Sequence, residues 1–278
     1  MNESDIAPEL DKRAQEVESV KRELRKRGSE PYGKNISGLY QEPFFEGEKQ
    51  RRDLFGFSGV EVAMRDIADA VTQAKQEKGD NTPFIMVDWG GMNGVTTIKL
   101  AKHLEPDVAA KKAFFFVTNL AHTPYIEKTS ASSMEIEAPE WTFAQRDSHL
   151  VRFVQADATE LLKQTITLPD GREIPLRGNI DLIHERRMLE HNPVADTDLL
   201  TMGEALSPYG VMILQTTHPY LRSAVIEGRV NQKTVDIIEN GKQNLLKAGL
   251  RQVADIGGRK LQPEVFVRPQ APIAVIRS

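Results

Sequence analysis

The tightest constraint on the fold lies in Phe84-Ile-Met-Val-Asp-Trp-Gly-Gly-Met-Asn-Gly94 and the run Val95-Thr-Thr-Ile-Lys-Leu-Ala-Lys-His-Leu104 behind it. An apolar run, a glycine-rich stretch and an amphipathic run read as buried strand, turn and helix. Glycines in such a turn adopt positive φ and let the backbone come close to a ligand. The helix N-terminus beyond them offers free N–H groups and the positive end of a dipole. A chain built this way is expected to carry a sheet whose first turn faces a ligand.

The remaining texture extends this reading. Short apolar runs at 84–88, 113–118, 151–155, 180–184, 210–216, 250–256 and 272–277 read as strands, with helices at 94–104, 196–206 and 231–247. Alternation of this kind implies a largely parallel sheet covered on both faces. The last two strands, joined by Gly257 to Pro269 without a helix, are expected to form an antiparallel pair at one end of the sheet. Residues 120–149 form a polar insertion, and Thr165 to Leu176 reads as a hairpin turning at Pro169-Asp170-Gly171. The expected fold is a doubly wound, mostly parallel, seven-stranded α/β sheet over residues 81–278, with residues 1–80 as an N-terminal helical extension.

That extension reads as a helix over 7–27, with Leu10, Ala14, Val17 and Leu24 on one face and Gly28 closing it. A second helix runs over 60–77, capped by Ser58 and ended by Gly79. Between them, residues 28–55 match no period and carry Tyr32, Tyr40, Phe44 and Phe45, which reads as a candidate lid or equally as a linker that packs its aromatics on the core.

Composition excludes several classes. The 278 residues contain no cysteine, which removes disulfides, thiolate catalysis and Cys-ligated metals. Met1 to Glu9 is polar and acidic, unlike a secretory signal, and no run approaches the roughly 20 apolar residues that cross a bilayer. The expected location is cytoplasmic, with no membrane contact. A formal net charge of −4 disfavours nucleic acid as a partner. The basic run Lys21, Arg22, Arg25, Lys26 and Arg27 reads as a solvated helix end. The expected partner is a small-molecule substrate; a homodimer or a partner subunit is left open.

Two ligand classes use a glycine turn of this kind. A nicotinamide-binding fold wants G-x-G-x-x-G, with its acid at the end of the second strand. Here the order is Asp88, Gly90, Gly94, and an acid two places before the first glycine has no role in that fingerprint. A carboxylate there can accept hydrogen bonds from loop amides or face a cationic ligand such as an aminoacyl sulfonium. Asp88-x-Gly90-x-x-x-Gly94 resembles the first motif of the class I S-adenosylmethionine-dependent methyltransferases. Val151 to Ala158, ending in an acid and a small residue, resembles that family's third strand. Ile180 to His191 resembles its fourth strand and the turn after it, Leu206 to Thr216 its fifth, and Lys247 to Val253 the approach to its sixth.

The resemblance implies a bound S-adenosylmethionine. Asp88, Gly90 and Gly94 would line its methionine part, Asp157 would bond the adenine amino group, and Ala158 would lie beside the ring. Two positions depart from the family pattern. Met92 stands at the middle glycine, so that Gly91 takes over if the loop is shifted by one; Asn119 replaces the second-strand acid that holds the ribose hydroxyls. Asparagine still bonds a hydroxyl but lacks the charge of a carboxylate, and each change weakens binding by roughly 1 kcal/mol or more. These departures motivate a second reading, a non-catalytic methyltransferase-like domain serving as a binding or scaffold subunit. The ordinary alternatives for the single residues are a helix cap at Asp157 and simple turn residues at Asn119, Gly90 and Gly94.

Methyl transfer asks little of the protein beyond in-line positioning, with a general base if the nucleophile must lose a proton. Candidate bases are His184, Glu185, His191 and His218; of these His184, where the fourth strand opens towards the methyl group, is the expected catalytic residue. No ligand spacing among His184, Glu185 and His191 supports a metal, and none is expected.

Overall fold

The computed structural model describes residues 57–90, 94–119, 148–156, 158–185, 189–192, 194–226, 228, 230–253 and 263–272. The helix read over 7–27, the segment 28–55, most of the insertion 120–149, and Gly91, Met92 and Asp157 lie outside them.

The described chain opens with α1 (Phe57–Glu77). Ser58 falls inside its first turn and does not precede it. The other end is as expected: Gly79 has φ 69, its N–H donates to the Gln76 carbonyl, and the Asp80 N–H reaches back to Lys75. Such a turn needs a left-handed residue, which glycine supplies without a Cβ penalty. Next come β1 (Phe84–Trp89), α2 (Val95–His103), α3 (Glu105–Ala109), β2 (Ala113–Asn119), β3 (Arg152–Gln155) and α4 (Ala158–Leu161). The hairpin β4 (Thr165–Thr167) and β5 (Glu173–Pro175) leads into β6 (Ile180–Glu185) and α5 (Ala195–Ala205). The chain continues through β7 (Leu206–Leu214), α6 (His218–Ile226), α7 (Gln232–Lys247), β8 (Arg251–Val253) and β9 (Glu264–Val267).

Seven strands form one sheet in the order β3-β2-β1-β6-β7-β9-β8, and the hairpin forms a separate two-stranded sheet. Counted along the chain, the seven run 3-2-1-4-5-7-6. All neighbours are parallel except where β9 enters, antiparallel to both β7 and β8. The mostly parallel seven-stranded sheet is therefore as the sequence reads, and it has an antiparallel end, but the strand that makes that end is not the one expected, and the stretch read as the last strand, 272–277, lies outside the described residues beyond Pro272. The hairpin turn is as expected: Gly171 has φ 83 and its N–H bonds the Leu168 carbonyl.

Three elements differ from expectation. The last described strand is Glu264–Val267, inside the stretch read as a connection, and it is only four residues long. β7 begins at Leu206 directly after α5, not at 210; a register shift against β6 between Ile180 and Leu182 absorbs the extra residues around Pro208. Residues 218–226, outside the strands and helices read from the sequence, form α6, which buries Leu221 and Ala224 at helical spacing.

The core is two-sided. On one face Ile85, Val87, Phe116, Ile183, Met212 and Phe266 pack with α5, α6 and α7 and with the hairpin. On the other, Met86, Phe115, Val117, Leu182 and Ile213 meet Met64, Ile67 and Val71 of α1 and Ile98 of α2. Both faces of the central strands are apolar, as burial between helix layers demands. Among the described residues no helix is long and apolar enough to cross a membrane.

Candidate cofactor and substrate cleft

β1 and β6 are parallel neighbours, yet the strands after β1 are laid down on one side and those after β6 on the other. Helices that follow such a pair diverge and open a crevice at the carboxyl ends of the strands, the general location of ligand sites in open α/β sheets. The glycine turn sits there. Gly90 has φ 70 and Gly94 φ 67, conformations that L side chains rarely adopt. Gly94 is also a point of close approach, since a Cβ there would lie 2.7 Å from Val117 Cγ2. Among the described residues no side chain caps α2 at Gly94, and its first turn holds no acid.

Beneath the turn runs a buried polar chain. Asp88 and His184 are register partners on β1 and β6, 2% and 1% exposed. His184 Nδ1 lies 3.0 Å from Asp88 Oδ1, and Thr97 Oγ1 of α2 donates to Asp88 Oδ2 at 2.6 Å. The other ring nitrogen, His184 Nε2, lies 3.0 Å from Gln215 Nε2. One carboxylate thus ties the strand before the glycine turn to the helix after it and to the neighbouring strand.

A second buried carboxylate shapes the far wall. Glu185 Oε1 accepts from the Thr216 hydroxyl at 2.7 Å and the Leu189 N–H at 3.2 Å, while Oε2 accepts from the Thr216 N–H at 3.1 Å. These bonds hold the turn at Leu189–His191 against the exit of β7. Tyr220 of α6 donates to Glu190 of that turn at 2.6 Å. His218 begins α6 with its side chain 65% exposed, 3.8 Å from Glu239.

The expected site residues fall as follows. Asp88, Gly90, Gly94, Asn119, Ala158 and His184 all sit at or just beyond the carboxyl ends of β1, β2, β3 and β6. Asn119 ends β2 in register with Gln155, and Ala158 begins α4. Gly91 and Asp157 lie outside the described residues. His184 is inside the sheet layer with both nitrogens engaged, rather than open to the crevice. No cluster of metal-ligating side chains occurs among the described residues.

Sequence reasoning missed Thr97, Gln215 and Thr216. The signal for Gln215 and Thr216 was present: they are the first polar residues after the apolar run Val211-Met-Ile-Leu214, where a parallel strand opens to the ligand side.

No protein-family model and no curated protein sequence matches the chain. Solved structures do. The chain is similar to the CurJ carbon methyltransferase at 15% identity and a TM-score of 0.46, over 98% of this chain and 72% of that one. It is similar to the methyltransferase domain of the citrinin polyketide synthase at 13% identity and a TM-score of 0.38, over 67% of this chain and 47% of that one. It is also similar to an S-adenosylmethionine-dependent methyltransferase from Aquifex aeolicus at 11% identity and a TM-score of 0.35, over 73% and 90% of the two chains. The strand order, with its single antiparallel strand next to the edge, gives the chain a class I methyltransferase-like α/β fold.

Proposed function

We propose that this fold serves S-adenosylmethionine-dependent transfer of a methyl group to an oxygen or nitrogen nucleophile of a small molecule. The observation that carries the reading is the pair of left-handed glycines, Gly90 and Gly94, framing the N-terminus of α2 at the switch point of the sheet. That cradle fits the carboxylate end of an aminoacyl group, which seeks N–H donors and a positive dipole end. In this reading Gly90, Gly91 and Gly94 admit the aminoacyl arm, Asn119 bonds the ribose, and Asp157 and Ala158 take the adenine. The bound cofactor supplies a methyl group already activated on a sulfonium.

The chain's own residues hold the turn in place. Asp88 does so from behind: its oxygens hold Thr97 and His184, which fixes the two walls of the turn relative to each other. We assign His184 a positioning role rather than that of a base, because no free ring nitrogen faces the crevice.

Calorimetry with S-adenosylmethionine and S-adenosylhomocysteine tests the reading. Saturable one-to-one binding of both is expected. Absence of binding at millimolar concentration would sink it and leave the scaffold reading in its place.

A further inference from the structure

Trp89, Glu185 and Leu214 form one rung across β1, β6 and β7, and Gly90 and Gln215 are the next residues on the two outer strands. Gln215 therefore stands at the same level as the glycine turn, across β6 from it. It is half-buried, and its backbone continues the ladder by donating to the Glu185 carbonyl at 2.9 Å.

The orientation of its side chain follows from the chain of bonds behind it. A carboxylate only accepts, so the 3.0 Å contact with Asp88 places a hydrogen on His184 Nδ1. In the neutral ring Nε2 is then an acceptor, and the Gln215 amide nitrogen donates to it. Thr97 completes the set by donating to the second Asp88 oxygen. Each link fixes the next, from α2 through β1 and β6 to the end of β7. The Gln215 amide turns its nitrogen to the ring and its oxygen away. Among the described residues no side chain or backbone group bonds that oxygen.

We propose that Gln215 is a ligand-orienting residue whose amide oxygen accepts a hydrogen bond from an N–H or O–H group of a bound molecule, with His184 as the positioning residue that sets its direction. This rests on the methyl-transfer reading. Two sources carry that donor chemistry: the ammonium of the cofactor's aminoacyl arm and the nucleophile of the methyl acceptor.

Two measurements test it. Nitrogen-15 spectra of histidine-labelled protein, assigned with His184→Phe, are expected to show His184 protonated at Nδ1 alone. A ring carrying hydrogen on Nε2 reverses the amide and overturns the proposal. The second uses Gln215→Leu and Gln215→Met, two apolar replacements without the amide, so that one remains if the other misfolds. Their affinities for S-adenosylmethionine, S-adenosylhomocysteine and 5′-methylthioadenosine, which lacks the aminoacyl arm, are compared with wild type.

A loss of about tenfold or more for the first two ligands, with the third unchanged, assigns the ammonium. Unchanged affinity for all three, with a similar loss in tritiated methyl transfer from S-adenosylmethionine to a low-molecular-mass cell extract, assigns the methyl acceptor. His184→Phe is expected to reproduce whichever selective loss is seen. No change in either readout, or an equal loss for all three ligands, overturns the proposal. A wild-type protein that binds none of the three overturns the methyl-transfer reading and this inference with it. That outcome is read on wild type alone, so the two failures are distinct.

Discussion

Lys75 Nζ lies 2.6 Å from Asp181 Oδ2, with the two side chains 5% and 0% exposed. The pair pins α1 to the amino ends of the strands, opposite the glycine turn. Lys75 also donates to the Pro83 carbonyl, while Asp181 accepts from the Ser207 hydroxyl and the Ile85 N–H. Breaking such a pair leaves one buried charge without its counterion, whereas removing both removes the charge problem. Asp181→Asn is expected to cost about 3–5 kcal/mol, and Lys75→Met combined with it to recover much of that loss. Urea denaturation of wild type, both single variants and the double variant measures the coupling.

The same site gives the stability a pH dependence of known sign. Burial pushes the Asp181 carboxyl above its ordinary value of 3.8, and the Lys75 charge and the bonds from Lys75, Ser207 and Ile85 pull it down without cancelling that rise. A group raised on folding contributes stability that is fully present below its unfolded value and is lost as pH rises through the folded one. Wild type should therefore lose stability as the pH rises from about 3.8, a dependence that Asp181→Asn, with no proton to release there, lacks. Denaturation curves of both proteins from pH 3 to 8 check this, and a contribution from Asp181 that grows with pH would contradict it.

Gly79 and Gly94 separate backbone strain from crowding. Both have positive φ, 69 and 67, but a Cβ at Gly79 meets nothing within 4 Å. Gly79→Ala should cost about 1–2 kcal/mol, the penalty of a left-handed residue. Gly94→Ala adds overlap with Val117 and should cost about 2–4 kcal/mol. Only the second is expected to lower affinity for S-adenosylmethionine, which thermal melts and calorimetry on the two variants will show.

Thr97 is fully buried and its hydroxyl serves Asp88. Thr97→Val keeps the shape and leaves the carboxylate short of a donor, at a cost of about 1.5–3 kcal/mol. Thr97→Ser keeps the donor and should cost less. Cofactor affinity should follow the same ranking, since the bond joins the strand and the helix on either side of the glycine turn.

Much of the sheet was legible because buried parallel strands are long apolar runs. Phe84 to Val87 is such a run, and Ile180 to Ile183 is one interrupted only by Asp181. β9 was missed for the opposite reason, a four-residue strand beside a more apolar stretch. The placement of Asp88, Gly90 and Gly94 followed from spacing alone, since a strand, a turn and a helix leave those residues one arrangement. What the sequence concealed is the state of His184. A histidine at a strand end looks like a base until its partners are known, and Asp88 and Gln215 come to it from 96 and 31 residues away.

The position of β9 sets an order of events in time. β7 pairs on one side with β6, but its other edge is completed only by Glu264–Val267, which follow it by two helices and β8. A chain still emerging from the ribosome, or cut ahead of residue 264, presents Val211 to Leu214 as an open row of backbone donors and acceptors. Such an edge invites another strand. Closing the sheet late makes this edge the place where an unfinished chain is exposed to self-association.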